Sequence, residues 1–233
     1  MAYRYLLVDN DNTLMDFTLA EKLALRDTLA SLTLPADEET AQLYHRINKS
    51  LWEALERREI TMAALKLERF ARLLQALGRD DIAPGAVCEM FHRQLGSHAE
   101  LLDGAAELMR NVKPHMKIAL VSNGISDIQR SRLSRCPLTP LMDAVIISEE
   151  RGVSKPDPAM AEIALAELGC TDKSAAVFLG DSLTADVACA RRAGIDSIWL
   201  SPVGASSPEP SFTVRSLREA AELLTQRGGG ARG

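Results

Sequence analysis

Three carboxylates fall within eight positions near the start of the chain, in Asp9-Asn10-Asp11-Asn12-Thr13-Leu14-Met15-Asp16, directly after the apolar run Tyr5-Leu6-Leu7-Val8. Two like charges about 4 Å apart repel by roughly 4 kcal/mol at an effective dielectric near 20, so the cluster implies a compensating partner. Other polar groups follow later apolar runs: Ser122-Asn123-Gly124, Ser148-Glu149-Glu150 with Lys155 shortly after, and Gly180-Asp181-Ser182 with Asp186 beyond it. If Asp9, Asp11, Asp181 and Asp186 meet at one point, they require a cation, and oxygen ligands suit a hard one. Magnesium fits, because it dehydrates reluctantly and takes a few carboxylates alongside water and substrate phosphate. Ser122, Asn123, Lys155 and the backbone N–H groups of the turns form the complementary half, offering donors and a positive charge to phosphate oxygens.

The elements that must bring these groups together are short. Apolar runs at 5–8, 118–121, 144–147 and 176–179, with a fifth at 197–200, have strand character and are too short for helices. Their unbroken apolarity describes strands covered on both faces. From residue 118 onward they alternate with helical segments at 126–133, 158–168 and 184–193, the rhythm of an α/β fold with a doubly wound, mostly parallel sheet. Asp157-Pro158 supplies an N-cap and a proline at the first helical position, and Gly169 and Gly194 supply stops. In such sheets ligands bind beyond the carboxyl ends of the strands, where all four polar clusters lie.

Residues 16–99 carry no convincing strand and repeat apolar side chains at helical spacing, as in Leu51, Leu55, Leu65, Phe70, Leu73, Leu74 and Leu77. They read as an all-helical cap inserted after the first strand, with 1–15 and 100–233 forming the catalytic core and 228–233 a flexible tail. A net charge of -5 gives no basic surface for a nucleic-acid polymer or an anionic membrane, and the apolar run before Asp9 is too short to span a bilayer. Cys88, Cys136, Cys170 and Cys189 lie far apart without a C-x-x-C pair, and read as buried reduced thiols of a cytoplasmic protein. None of His45, His92, His98 and His115 has ligand spacing, and Asp16 has no part in the pattern.

Taken in order, Asp9-x-Asp11-x-Thr13, Ser122, Lys155 and Gly180-Asp181-x-x-x-x-Asp186 resemble the motifs of the haloacid dehalogenase-like (HAD) phosphohydrolases. The resemblance covers essentially the whole chain if the helical insertion is counted as a cap. It implies a magnesium-dependent phosphatase of small phosphate monoesters. Asp9 would be the nucleophile that becomes an aspartyl-phosphate, and Asp11 would protonate the leaving oxygen and then activate water. Ser122 and Lys155 would neutralise the phosphoryl oxygens.

Two further stretches, Ile47-Asn48-Lys49-Ser50-Leu51-Trp52 with Glu59-Ile60-Thr61, and Ser148 through Lys155-Pro156, are similar to the pyrimidine 5'-nucleotidase branch. That similarity implies a nucleoside 5'-monophosphate substrate, with Asn48, Lys49 or Trp52 touching base or sugar and Trp52 able to stack. The alternatives are a sugar-phosphate or phosphoglycolate phosphatase, a metal-free 2-haloacid dehalogenase, and a phospho-acceptor signalling module. The second Asp of the pair and the Gly180-Asp181 acid weigh against dehalogenation, which needs neither proton delivery to an ester oxygen nor a cation. The helical insertion and Asp11 weigh against the signalling module, because a cap excludes water and Asp11 hastens loss of the phosphoryl group.

Overall fold

The structure, a computed structural model, describes residues 3–201 and 203–228, and divides into two compact units, Met1–Phe17 with Ala99–Gly233, and Thr18–His98. In the first unit, β1 (Tyr5–Val8), β2 (Lys117–Ser122), β3 (Ala144–Ile147), β4 (Ala176–Gly180), β5 (Asp196–Leu200) and β6 (Phe212–Val214) pair in the order β3-β2-β1-β4-β5-β6. Every pairing is parallel, so the mostly parallel sheet expected from the sequence is parallel throughout the described residues.

Alternate residues of the central strands enter two separate cores. Leu6, Val8, Ile118, Leu120, Val177 and Leu179 pack with α5 (Ala105–Val112) and α10 (Leu217–Gly228). Leu7, Ala119, Val121 and Phe178 face α8 (Ala159–Glu167) and α9 (Ala188–Ala193) on the other side. Both faces are therefore dry, which is why the strands read as unbroken apolar runs. At about 1.5–3 kcal/mol per fully buried aliphatic side chain, this double burial holds the strand ends in fixed register.

That register brings the polar clusters together. Val8 pairs with Leu120 on one side and Leu179 on the other, so Asp9 emerges level with Val121 and Gly180. Ser122 and Asp181 follow one residue beyond.

Several boundaries differ from the sequence reading for identifiable reasons. Pro158 occupies the N-cap of α8 rather than its first turn, while the Asp157 carboxylate accepts from the N–H of Ala159. The segment expected as one helix over 184–193 begins as a π-helical turn, Leu183–Val187. Cys88, Cys136 and Cys189 are buried free thiols, but Cys170 is half-buried. The tail expected over 228–233 begins at the last residue of α10, and Gly229 onward lies outside the described residues.

The second unit holds α2 (Glu38–Glu56), α3 (Met62–Ala76), α4 (Pro84–Ser97) and nearly all of α1 (Phe17–Ser31). Asp37 and Thr61 cap α2 and α3 by accepting from the N–H groups of Thr40 and Ala64. Tyr44, Phe70 and Phe91 meet at ring-centroid distances of 5.3–5.7 Å in its core. Among the described residues, no helix is long and apolar enough to cross a membrane.

Candidate active site

Asp9 leaves the buried end of β1 with its N–H donating to the carbonyl of Leu179 at 3.0 Å. The chain then turns sharply, with the N–H groups of Leu14 and Met15 both donating to the Asn10 carbonyl and Asn12 in the left-handed region at φ 57°. Asparagine tolerates that conformation better than most side chains.

The ammonium of Lys155 is the electrostatic centre. It donates to Asp9 Oδ1 at 2.6 Å and to the Val121 carbonyl at 2.8 Å, and lies 2.7 Å from Asp186 Oδ1. Burial works against its charge, but Asp186 and Asp9 outweigh burial and hold it protonated beyond the ordinary lysine range. Asn123 places this lysine. Its amide donates to the Lys155 carbonyl and accepts from the Lys155 N–H, both at 2.8 Å. Asn123, expected to bind phosphate, is thus occupied in this structure with the backbone of Lys155. Ser122, buried at the end of β2, accepts from the N–H of Gly124 at 3.0 Å.

Asp186 is brought back toward Lys155 by the π-helical turn, whose Val187 N–H donates to the Ser182 carbonyl five residues earlier. Its Oδ2 accepts from the Ser182 N–H at 3.0 Å, and it is almost fully buried. The indole N–H of Trp199 holds the Asp181 carbonyl at 2.7 Å.

One carboxylate oxygen each from Asp9, Asp181 and Asp186 lies within 4.8 Å of the others. Burial and the neighbouring Asp186, Asp181 and Asp11 push Asp9 up, with Lys155 pulling the other way. Burial first, then Asp186, raises Asp181 to about 6. With all three carboxylates ionised, one ammonium leaves two negative charges without a partner in the group, and Asp186 Oδ1 makes no hydrogen bond of ordinary geometry. That donor set, hard oxygens with a deficit of two positive charges, suits a divalent cation.

Asp11 is not in this group. Its Oδ2 accepts from Gln129 Nε2 at 2.6 Å, and its Oδ1 is ion-paired with the buried guanidinium of Arg132. The acids Glu149 and Glu150, which also follow a strand end, cap α6 (Ser126–Arg135) instead. Glu149 accepts from the Ser126 N–H at 2.8 Å and Glu150 from its hydroxyl at 2.7 Å. In the helical unit, Asn48 is buried and donates to Glu21 at 2.8 Å, Lys49 is exposed beside Glu53, and Trp52 is half-buried.

Glycine is required at Gly180 because a Cβ there would collide with the Asp186 carboxylate. Gly180→Ala should displace Asp186 and destabilise the protein by about 1–3 kcal/mol in a thermal melt. An unchanged Tm would mean that Asp186 is not held where the geometry puts it.

A conserved-domain model described as haloacid dehalogenase-like hydrolase matches residues 6–200. The HAD-hydrolase YfnB of Bacillus subtilis is 33% identical over 226 residues, with 95% of each chain covered. Its magnesium-bound crystal structure, which reveals interdomain movement in that protein, superimposes with a TM-score of 0.89 over 96% of this chain and 99% of that one. The pyrimidine 5'-nucleotidases PynA of Streptococcus pneumoniae and YjjG of Escherichia coli are each 31% identical, covering 96% of this chain and 96% and 99% of theirs. The chain belongs to the haloacid dehalogenase-like hydrolase family. It is an enzyme of that family, and its relatives group it with the phosphoric monoester hydrolases.

Proposed function

We propose that the protein is a magnesium-dependent phosphatase that hydrolyses nucleoside 5'-monophosphates, with pyrimidine nucleotides preferred, through an aspartyl-phosphate on Asp9. The observation that carries this reading is the Lys155 ammonium set between Asp9 and Asp186 in a pocket of three carboxylates still short of two positive charges. A divalent ion held by Asp9, Asp181 and Asp186 would supply charge neutralisation for the transferring phosphoryl group.

The residues divide the reaction as follows. An Asp9 carboxylate oxygen attacks phosphorus, the bond from phosphorus to the ester oxygen breaks, and that oxygen takes a proton from the Asp11 carboxyl. Water then attacks phosphorus and gives its proton to the Asp11 carboxylate. The bond from phosphorus to Asp9 breaks, inorganic phosphate leaves, and both aspartates return to their starting forms. Lys155 and Ser122 stabilise the phosphoryl oxygens throughout. The helical unit Thr18–His98 serves as the cap that selects the ester, with Asn48, Lys49 and Trp52 as its candidate contacts. The nucleotide preference rests on the two nucleotidase relatives. Four free cysteines suit a cytoplasmic setting.

Phosphate release from uridine 5'-monophosphate, sugar phosphates and phosphoglycolate, with magnesium and with EDTA, tests the reading. EDTA should abolish release and magnesium restore it, and a hundredfold excess of magnesium over its Kd should stabilise the fold by about 2.7 kcal/mol. Activity indifferent to EDTA would remove the metal from the reaction. A strong preference for sugar phosphates would replace the substrate class while leaving the chemistry intact.

A further inference from the structure

The proposed acid and base, Asp11, is held by a second set of side chains that takes no part in the metal group. Gln129 and Arg132 stand three residues apart on α6, so both project from one face of that helix. Both are almost completely buried, at 1% and 0% exposure, although a glutamine and an arginine in a helix normally face water.

With Asp11 ionised, only one orientation of the Gln129 amide satisfies both of its neighbours. Its Oε1 accepts from Asn10 Nδ2 at 2.6 Å, and its Nε2 donates to Asp11 Oδ2 at 2.6 Å. Flipped, it would set an oxygen against the Asp11 carboxylate and a donor against a donor. The guanidinium of Arg132 takes Asp11 Oδ1 and lies over the ring of Phe17, 5.6 Å from its centroid. Gly124 makes room for the arrangement, because a Cβ there would run into the Gln129 side chain. Each Asp11 oxygen thus has its own buried donor, while the Asp11 side chain itself remains 25% exposed. Asp11 is thus held apart from the group formed by Asp9, Asp181 and Asp186.

We propose that Gln129 and Arg132 are positioning residues that aim the Asp11 carboxyl at the ester oxygen and keep it out of the cation site. The inference rests on the phosphatase reading above and deepens it. Each buried donor takes one lone pair of its oxygen and leaves the other for the proton that is transferred, and together they fix the direction of the carboxyl far better than solvent does, on which general acid–base catalysis depends. Without them, Asp11 would be free to turn toward a bound cation, which would take the acid away from the ester.

The test separates proton delivery from everything else the site does. With enzyme in excess and magnesium present, a single turnover reads only the release of the leaving alcohol, which is the step that phosphorylates Asp9. Uridine 5'-monophosphate releases an alkoxide that needs a proton, whereas p-nitrophenyl phosphate releases a stable phenolate that does not. Arg132→Met and Gln129→Met should slow release from uridine 5'-monophosphate by about 10²-fold, the lower end of what a positioned acid contributes, and release from p-nitrophenyl phosphate by less than about threefold. Arg132→Lys should recover part of the loss by returning the charge without the planar fork. Gln129→Met serves as the second variant should Arg132→Met fail to fold, since it removes no charge. Equal losses on both esters, or no loss on the nucleotide, would overturn the positioning role. A wild-type protein that releases phosphate from neither of these esters, nor from a sugar phosphate or phosphoglycolate, would overturn the phosphatase reading, and this inference with it.

Discussion

Asp9→Asn is expected to abolish turnover while leaving a protein at least as stable as the wild type. Loss of a covalent nucleophile costs on the order of 10⁴–10⁶ in kcat where such groups have been removed. The fold has little need of the charge: burial acts most strongly against ionisation of Asp9, Lys155 favours it, and the neighbouring Asp186, Asp181 and Asp11 oppose it. Asparagine keeps the oxygen that accepts from Lys155 at 2.6 Å and removes one of three crowded carboxylates. Gain of stability with loss of activity is what a site strained for function gives. The check is a phosphate-release assay beside a thermal melt in EDTA. Full turnover in the variant would remove Asp9 as nucleophile, and a large fall in Tm would mean that the carboxylate is structural.

Lys155→Met should do the reverse, losing stability and activity together. The ammonium and both of its carboxylate partners are buried, so removing it leaves Asp9 and Asp186 facing each other in a dry site. Breaking a buried pair in this way costs about 3–5 kcal/mol. The loss of a charge aimed at the phosphoryl oxygens should lower kcat by about 10²–10³-fold. Added magnesium should recover part of the Tm by restoring positive charge, but not the rate. Lys155→Arg should rescue poorly, because a planar fork cannot replace a point charge that also donates to the Val121 carbonyl. A Lys155→Met protein with wild-type Tm and kcat would show that the pairing is incidental.

The path from sequence to site ran through the strand ends. Tyr5–Val8, Ala144–Ile147 and Ala176–Gly180 are dry on both faces, so they stood out as apolar runs, and parallel pairing then placed the polar residues that follow them side by side. The three residues of β6 are too few to carry an alternation signal, and the strand was not anticipated. The π-helical turn was equally hidden, because it is set by the tether between Asp186 and the Ser182 N–H rather than by local composition.

Gln129 and Arg132 were missed for a different reason. The buried face of α6 carries Ile128 and Leu133 together with Gln129 and Arg132, so the helix looks solvent-exposed in sequence. Only the D-x-D carboxylate explains why those two polar side chains are inside. Their spacing, three residues apart shortly after Ser122-Asn123-Gly124, was the one available signal. Glu149 and Glu150 show the converse, acids at a strand end that turn to Ser126 at the start of α6 instead of the site.

The most direct measurement is to quench the magnesium-loaded wild-type protein with acid during turnover of uridine 5'-monophosphate and locate the phosphoryl group by peptide fragmentation. The expected result is a phosphoryl group on Asp9, labile to base and missing from Asp9→Asn. Phosphoryl transfer to another side chain during active turnover, or none at all in a quench fast enough to capture a single turnover, would contradict it.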